Sequence, residues 1–303
     1  MKPIFIDQLR KHGVVGSLRK LIGLMLSKVQ NIYFLWRVRN ESRYQNATIE
    51  ELVLIEKELI AAGVMIHDYS PPPALFKTFQ AACYFPSDYH GGVDSPFWDE
   101  KLLEHWISAN LLGLFSYQPA DIYVDIAACS SPWAKILRER LNITAFAIDL
   151  DAPPPVYMDA EYYKCEDAVS TTFADASIKG ASLQCAFEMF MRDDDTNLLR
   201  ELARILKPGG KAVITPLYMH THYCAYASPK YYCKGYSDPL AREYVYTDWD
   251  GIRSSRFYDV NQFIKRVLKP IEDLGMQYKL LALRNKDKLG QGIYCHFVLE
   301  CTK

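Results

Sequence analysis

The most constraining stretch of this sequence runs from residue 121 to residue 151. Its aromatic and β-branched run at 123–126 predicts a buried strand. Five small residues follow at 127–131, and Pro132 stands where the first turn of a helix would begin. Beyond that helix, a second strand ends on Asp149. A strand, a small-residue loop, a helix, a strand and an acid, in this order, predict half of a nucleotide-binding α/β unit.

The loop between the first strand and the helix lacks the usual glycines. Small residues let a ligand approach the backbone, and the N-terminus of the following helix offers unpaired N–H groups. The sequence Ala127-Ala-Cys-Ser-Ser131 is small throughout but contains no glycine. Alanine and serine reach positive φ less readily than glycine, and each adds a Cβ near the ligand. We therefore expect either weaker ligand binding or a loop that follows another allowed path.

The chain beyond residue 151 continues to alternate strands and helices. A helix over 193–206 should end at Lys207-Pro-Gly-Gly210, because proline and glycine stop helical structure. The last two apolar runs flank a charged, glycine-containing turn and predict an antiparallel hairpin. The predicted strands are 162–165, 181–187, 211–215, 278–283 and 293–300, and a further helix covers 260–274.

The N-terminal third of the chain predicts helices and a lid. Residues 48–51 have the form of a capping box, which begins a helix. The aromatic segment 76–98 contains two adjacent glycines and suits either a lid over a ligand or a surface loop. A helix over 99–114 has an apolar face and carries three polar side chains that could reach a ligand cleft, namely Lys101, Glu104 and His105.

The order of acids and the segment after them resemble a known enzyme family. Asp149 lies 24 residues after Asp125, and Asp167 lies 18 residues after Asp149. The segment Asn197-Leu-Leu-Arg-Glu-Leu-Ala-Arg-Ile-Leu-Lys-Pro-Gly-Gly-Lys-Ala-Val-Ile214 then follows. Together they resemble the class I S-adenosylmethionine-dependent methyltransferases, in the small-molecule branch called type 11. The resemblance covers roughly 119–219 well and extends more weakly to the C-terminal hairpin.

The resemblance implies a fold and a domain organisation. The family has an α/β, Rossmann-like fold with a seven-stranded, mostly parallel sheet whose last strand is antiparallel. On this basis residues 119–303 form the Rossmann-like methyltransferase domain, with a substrate-side insertion at 216–258. Residues 1–118 form an N-terminal helical region that includes the lid.

The resemblance also assigns a cofactor, S-adenosyl-L-methionine, and the residues that hold it. Asp125 and the small-residue loop would cradle the methionine end, and Asp149 would bind the ribose hydroxyls. Asp167 and Ala168 would contact the adenine, and Phe187 and Glu188 follow the fourth strand beside cofactor and substrate. The complete predicted set is Asp125, Ala127, Ala128, Cys129, Ser130, Asp149, Leu150, Asp167, Ala168 and Phe187.

Methyl transfer is an in-line displacement at a carbon that the sulfonium already activates. The protein aligns the acceptor and, for a hydroxyl, removes its proton. The candidate catalytic residues are His220, His222, Tyr218 and His105. We expect a small-molecule acceptor and O-methylation, with a glycan or a lipid-linked intermediate as the acceptor. The alternative is a catalytically inactive binding or scaffold protein that kept the fold, and the absence of Gly-x-Gly-x-x-Gly disfavours a dinucleotide-dependent oxidoreductase.

Metal binding is not predicted from the sequence. His220, His222 and Cys224 have the side chains that bind metals and alternate along the chain. No carboxylate stands at a matching spacing, so the sequence-based prediction is that no metal is bound.

Charge and composition restrict the partners and the compartment. The net charge of −1 gives no reason to expect nucleic-acid binding by the whole protein. Residues 1–43, however, hold nine lysines and arginines against two acids, interleaved with apolar residues. This pattern predicts either peripheral contact with an anionic membrane or a helix docked on protein. Eight scattered cysteines without a CxxC pair, and the lack of a cleavable signal, predict a cytoplasmic protein. The oligomeric state stays open.

Overall fold

The structure is a computed structural model that describes residues 22–23, 25–236 and 238–303. The chain divides into two compact units. The larger unit contains residues 46–224 and 256–303, and the smaller one contains 225–255 with the described part of 1–45. The domain boundary predicted at residue 118 was placed by sequence motifs, whereas these units are defined by compactness. It therefore stays a prediction.

The strands and helices are numbered in chain order. The strands are β1 (Ile66–Tyr69), β2 (Ile122–Ile126), β3 (Thr144–Asp149), β4 (Tyr163–Cys165), β5 (Ile178–Gln184), β6 (Leu206–Leu217), β7 (Cys224–Ala227), β8 (Arg242–Val245), β9 (Ser255–Phe257), β10 (Gln277–Leu283) and β11 (Phe297–Thr302). The helices are α1 (25–37), α2 (Ile49–Ala61), α3 (Pro73–Ala81), α4 (Trp98–Leu112), α5 (Trp133–Leu141), α6 (Asp194–Ile205), α7 (Pro229–Tyr232), α8 (Val260–Phe263) and α9 (Lys269–Asp273).

The larger unit is built on a sheet with the strand order β1-β10-β11-β6-β5-β2-β3-β4. Strands β2 to β6 of this sheet are parallel to one another, whereas β11 runs antiparallel to both β6 and β10. The predicted α/β, mostly parallel fold and its antiparallel last strand are therefore confirmed. The C-terminal hairpin is also confirmed, since β10 and β11 pair from Gln277↔Thr302 to Ala282↔Phe297.

The described sheet has eight strands rather than the predicted seven. The additional strand, β1, pairs in parallel with β10, from Ile66↔Leu280 to Tyr69↔Leu283. It belongs to the N-terminal region that we predicted to be helical. Four residues are too few to show the alternation of apolar and polar residues from which a strand is predicted. The strand forms here because the edge of β10 supplies its hydrogen-bonding partners.

The predicted C-terminal helix over 260–274 is divided. Between α8 and α9 the chain forms a π-helical turn, Ile264–Leu268. Pro270 has no N–H to donate to the carbonyl of Arg266, and the Thr196 hydroxyl donates to that carbonyl instead, over 3.0 Å. Other bounds move by a few residues, as β5 begins at Ile178 and β11 at Phe297.

Helix α4 supplies much of the cover over the sheet. It contacts β5 and β6, and eleven of its residues are buried, among them charged ones. Trp133, at the start of α5, is also fully buried and stacks on Phe85 with ring centroids 5.5 Å apart. The predicted capping box of α2 is present, because Thr48 and Glu51 each accept the other's backbone N–H. The contact between Phe85 and Trp133 brings the segment around Phe85 beside the start of α5, which follows the loop at 127–131.

The smaller unit holds α1, α7, β8 and all of β7 except its first residue. Asn31 of α1 donates to Asp250 over 3.2 Å, and Ser42 accepts from the Val245 N–H over 3.0 Å. Many apolar side chains of α1 are exposed. In the described part of the chain, no helix is long and apolar enough to cross a membrane. The predicted membrane segment lies partly at 1–21, outside the described residues.

Candidate cofactor and acceptor site

The site lies at the carboxyl edge of the parallel strands. Strands β2, β3, β4, β5 and β6 point the same way, so the segments that follow them meet at one edge of the sheet. Most of the residues predicted from the sequence stand at or just beyond these strand ends. They are Asp125, Ala127, Ala128, Cys129, Ser130, Asp149, Leu150, Asp167, Ala168, Phe187, Tyr218, His220 and His222.

The loop after β2 has the backbone of a glycine loop. Ala127 and Cys129 both adopt left-handed conformations, with φ of 55° and 49°. The Ala128 N–H donates to the Ile148 carbonyl over 3.0 Å, and the Cys129 N–H donates to Asp149 Oδ2 over 2.8 Å. A side chain in this region costs roughly 1–2 kcal/mol per residue, so tertiary contacts must hold it there. The loop therefore does not follow the alternative path that the sequence left open.

Asp125, at the end of β2, lies buried beneath this loop. Its Oδ2 has no hydrogen-bond partner among the described residues. Burial raises the pKa of the Asp125 carboxyl to about 8, with Asp149 adding to the rise and a hydrogen bond from Ser131 opposing it. A buried carboxylate oxygen without a donor is costly, which makes Asp125 a natural acceptor for a cationic or N–H-bearing ligand group.

Asp149 and the residues after β4 form the neighbouring part of the edge. Asp149 is fixed by two backbone donors, since its Oδ1 accepts the Asp151 N–H over 3.1 Å and its Oδ2 accepts that of Cys129. Leu150 is 64% exposed and offers an open apolar surface beside the acid. Asp167 accepts the Val169 N–H, and Ala168 is buried.

Phe187 is almost completely buried and packs on other aromatic rings. It is 2% exposed, and its ring packs against Phe190 and Tyr258, with centroids 6.3 and 6.1 Å away. Its predicted role beside the cofactor stays a prediction.

A set of buried polar side chains occupies the other side of the edge. Lys101 Nζ lies 2.8 Å from Glu104 Oε1, and the Tyr294 hydroxyl donates to the same oxygen over 3.0 Å. Glu100 Oε2 accepts the backbone N–H groups of Tyr294 and Cys295. Cys185 Sγ lies 3.3 Å from the Tyr218 hydroxyl. We call this set the buried polar cluster, and its members are Glu100, Lys101, Glu104, Cys185, Glu188, Tyr218 and Tyr294.

Two carboxyls of the buried polar cluster are short of donors. Glu100 Oε1 and Glu188 Oε2 have no hydrogen-bond partner among the described residues. Burial raises the pKa of Glu188 to about 7. Burial, together with the charge of Glu104, raises the pKa of Glu100 to about 8. Glu188 can therefore both hold and release a proton near neutral pH.

Tyr89 connects the cofactor loop with the buried polar cluster. Its hydroxyl lies 2.9 Å from His105 Nε2. Burial raises the pKa of Tyr89, Glu104 raises it further, and a hydrogen bond with Ser131 lowers it. Groups of both the loop and the buried polar cluster therefore influence the pKa of the Tyr89 hydroxyl. It comes from the segment predicted to be either a lid or a surface loop.

Of the predicted catalytic residues, His105 is fully buried and Tyr218 is half-buried. The pKa of His105 is lowered well below its usual value by burial, then by the charges of Lys101 and His90, so its imidazole is neutral. The pKa of Tyr218 is raised well above its usual value by burial and by Cys185 and Tyr294, so its phenol keeps its proton. Both groups suit hydrogen bonding and positioning better than proton removal.

The other two predicted catalytic residues are close together in the segment after β6. The His220 and His222 rings have centroids 4.3 Å apart. His220 is buried, and its Nδ1 accepts the Thr221 N–H over 2.9 Å. Their ring nitrogens and Cys224 Sγ form a group in which the candidate ligand atoms lie within 4.8 Å of one another.

Sequence reasoning missed several members of this site. Glu188 was predicted, with Phe187, to lie beside cofactor and substrate, but it was not among the predicted catalytic residues. Glu100 gave no separate signal, because charged residues are common in the first turn of a helix. Tyr89, Cys185 and Tyr294 gave no such signal, since aromatic residues and cysteines are ordinary members of cores.

The fold and the site together define a class of protein. In the parallel sheet, β2 leads through a glycine-like loop into a helix, and acids stand at or beyond the ends of β3 and β4. This is a Rossmann-like nucleotide-binding architecture. Residues 124–214 match the family model described as a methyltransferase domain. This segment is a class I, S-adenosylmethionine-dependent methyltransferase domain of the type 11 branch. The predicted family, enzyme class and cofactor are thereby confirmed at the level of the domain.

Solved structures with similar folds are distant in sequence. A 1,6-didemethyltoxoflavin-N1-methyltransferase from Burkholderia thailandensis is 14% identical, with 79% of this chain and 94% of that chain covered and a TM-score of 0.45. A SAM-dependent methyltransferase from Methanosarcina mazei is 18% identical, with 64% and 96% covered and a TM-score of 0.40. A geranyl diphosphate C-methyltransferase from Streptomyces coelicolor is 12% identical, with 70% and 86% covered and a TM-score of 0.39.

These TM-scores all lie below 0.5, so the assignment rests on the family match. No curated protein matches the sequence.

Proposed function

We propose that this protein transfers the methyl group of S-adenosylmethionine to a hydroxyl of a small-molecule acceptor, such as a glycan or a lipid-linked intermediate. The observation that carries the proposal is the loop at 127–131. It keeps left-handed backbone at Ala127 and Cys129 although neither is glycine, and it follows Asp125, whose buried Oδ2 has no hydrogen-bond partner among the described residues. Strained backbone of this kind concentrates at ligand-binding sites.

In this proposal the cofactor lies along the carboxyl edge of the sheet. Asp125 Oδ2 accepts from the α-ammonium group of the methionine end, and Asp149 accepts from the ribose hydroxyls. The exposed side chain of Leu150 covers one face of the adenine, and Asp167 and Ala168 contact its edge. Asp125 is buried, Asp149 is fixed by backbone donors and Leu150 is exposed and apolar. These properties suit the methionine end, the ribose and the adenine of the cofactor, in that order.

The acceptor then lies between the cofactor and the buried polar cluster. The acceptor oxygen forms a bond to the methyl carbon while the carbon–sulfur bond breaks, and the positive charge on sulfur is lost. The acceptor's proton passes to a base of the protein. Glu188 suits this task, because one of its oxygens is unpartnered and its pKa of about 7 lies near neutral pH. His220 and His222 are the bases predicted from the sequence, and variants distinguish these choices.

Calorimetric titration tests the proposal at its first step. The full chain should bind S-adenosylmethionine and its demethylated product, S-adenosylhomocysteine, with one site per chain. Adenosine alone should bind more weakly, since it lacks the ammonium group that pairs with Asp125. Absence of heat at millimolar ligand, from protein that melts cooperatively, would refute the enzyme proposal.

The alternative is a methyltransferase fold that binds its ligand without catalysis. Its support is that the loop places a Cβ at two positions where the family usually has glycine. This alternative predicts binding of S-adenosylmethionine without release of S-adenosylhomocysteine in the presence of any acceptor extract. Detection of enzyme-dependent S-adenosylhomocysteine release by mass spectrometry would exclude it.

A second proposal concerns α1 and an anionic membrane surface. Three exposed apolar side chains, Val29, Ile32 and Trp36, are 64%, 67% and 57% exposed and recur every three or four residues, which places them on one helix face. Lys28 and Arg37 flank this stripe. An exposed apolar stripe with basic neighbours is the composition that binds anionic lipid surfaces. Such contact would suit a cytoplasmic enzyme whose acceptor is lipid-linked.

Vesicle sedimentation tests the membrane proposal. The double variant Ile32→Glu, Trp36→Glu should lose its binding to vesicles that contain phosphatidylserine, since it places two charges on the apolar stripe. Gln30→Glu adds a charge to the same helix at an exposed polar position and should bind nearly as well as the unaltered chain. Equal sedimentation of all three proteins would contradict the proposal.

A further inference from the structure

The histidine–cysteine group beyond β6 has a geometry that an extended chain cannot produce. The Cα atoms of residues 220 and 224 in a straight strand would lie about 13 Å apart. The chain instead bends at Thr221 and His222. This bend brings ligand atoms of His220, His222 and Cys224 to within 4.8 Å of one another. Three alternating residues therefore converge on one point.

From this convergence we propose that His220, His222 and Cys224 bind a zinc ion. Imidazole nitrogen and thiolate sulfur are ligands that zinc prefers in proteins, and zinc sites combine both kinds. His220 and Cys224 are buried, whereas His222 is half-buried. A site with three protein ligands and one side open to solvent leaves the fourth position to water or to an acceptor atom.

Thr221 can orient both histidines for such a site. Its Oγ1 lies 3.2 Å from His220 Nδ1 and 3.4 Å from His222 Nδ1. When Nε2 binds a metal, Nδ1 carries the proton and needs an acceptor, and the Thr221 hydroxyl oxygen can serve both rings. The Thr221 N–H, which now donates to His220 Nδ1, gives up that bond. One lost hydrogen bond is a small cost beside three metal–ligand bonds.

The backbone around the site is held in place. The His220 N–H donates to the Tyr258 carbonyl over 2.8 Å, and Met219 forms a parallel bridge with Tyr258. Zinc binding converts the Cys224 thiol to a thiolate and releases one proton to solvent, so no other reactant is needed. The inference does not depend on the proposed function, and it makes His220 and His222 ligands rather than bases.

Metal analysis of the full chain tests the inference. The protein is freed of any affinity tag, incubated with zinc sulfate, passed through a desalting column and measured by mass spectrometry of the metal. We expect about one zinc per chain. Cys224→Ser and His222→Ala should each lose about tenfold or more in zinc affinity, measured by competition with a chromophoric chelator. The control Cys233→Ser removes an exposed thiol outside the group and should keep the zinc.

Cobalt provides a second, spectroscopic readout. Cobalt bound to the unaltered protein should give a thiolate-to-metal charge-transfer band, which Cys224→Ser abolishes and Cys233→Ser retains. Thermal melting of each variant without metal shows whether it folds. Zinc content far below one per chain, or equal zinc in Cys224→Ser and the unaltered chain, would overturn the inference whether or not S-adenosylmethionine binds.

Discussion

The two sides of the candidate site, both in the larger unit, are built by different means. On the cofactor side the backbone carries the site, because Ala127 and Cys129 keep the φ values that suit glycine. On the acceptor side the side chains carry it, because buried acids and a lysine from α4 meet Cys185 and Glu188 beyond β5. The difference teaches that a loop can keep the backbone conformation of a glycine motif without its glycines. A cluster of side chains, by contrast, depends on the identity of each residue.

The largest expected effect lies on the acceptor side. Glu188→Gln removes the proposed base while preserving shape, and it should lower kcat by about 10²–10⁴-fold. Its effect on cofactor affinity should be small, because the cofactor lies on the other side of the site. Initial rates of S-adenosylhomocysteine release and calorimetry measure the two quantities separately. The exposed Glu161→Gln is the control. A normal rate in Glu188→Gln would show that Glu188 is not the base.

The next effect concerns the cofactor side. Asp149→Ala should weaken S-adenosylhomocysteine binding by about 100-fold, because it removes an acceptor for two charge-assisted hydrogen bonds. Asp151→Ala is the matched control, since Asp151 contributes its backbone N–H to Asp149 and its side chain is exposed. Calorimetry gives both affinities, and melting temperatures show that the fold persists. Equal binding by the two variants would remove the ribose role from Asp149.

A pH dependence of stability should distinguish the buried acids from ordinary ones. The pKa of Glu100 rises from 4.5 to about 8, through burial and the charge of Glu104, with Lys101 opposing. The folded state then binds more protons than the unfolded state between these pH values. Stability from this group is therefore complete below about pH 4.5 and is lost as the pH rises through about 8.

Urea denaturation at pH 6 and pH 8 measures this dependence. Glu100→Gln should flatten the fall in unfolding free energy by about 1.4 kcal/mol per pH unit, whereas the exposed Glu58→Gln should not. Parallel slopes in the Glu100→Gln and unaltered proteins would show that Glu100 is ionised throughout.

The smallest expected effect tests the backbone argument itself. Ala127→Gly should stabilise the protein by up to about 1 kcal/mol, because glycine adopts positive φ without strain. Ala128→Gly, one residue further, should destabilise it by about 0.5–1 kcal/mol, since φ there is not positive and glycine gains only unfolded-state entropy. Chemical denaturation compares the two variants, and a loss of stability in both would mean that Ala127 is not strained.

The sequence by itself determined the alternation of strands and helices, and it placed the predicted cofactor residues at the ends of strands. Repeated strand and helix patterns, the acids Asp125, Asp149 and Asp167, and the Lys207-Pro-Gly-Gly210 segment are local signals. Such local signals can be read from the sequence, because each depends only on residues that are close together along the chain. For the same reason the final hairpin was predictable, although the eighth strand, β1, was not.

Tertiary structure alone decided the left-handed loop, the buried polar cluster and the convergence of the two histidines with Cys224. The φ of Ala127 is set by the hydrogen bonds that Ala128 and Cys129 make with β3, not by the preference of alanine. The charges of α4 are buried because α4 lies against β5 and β6. Each of these features depends on segments that are distant in sequence, and their packing energy exceeds the local preference that it overrides.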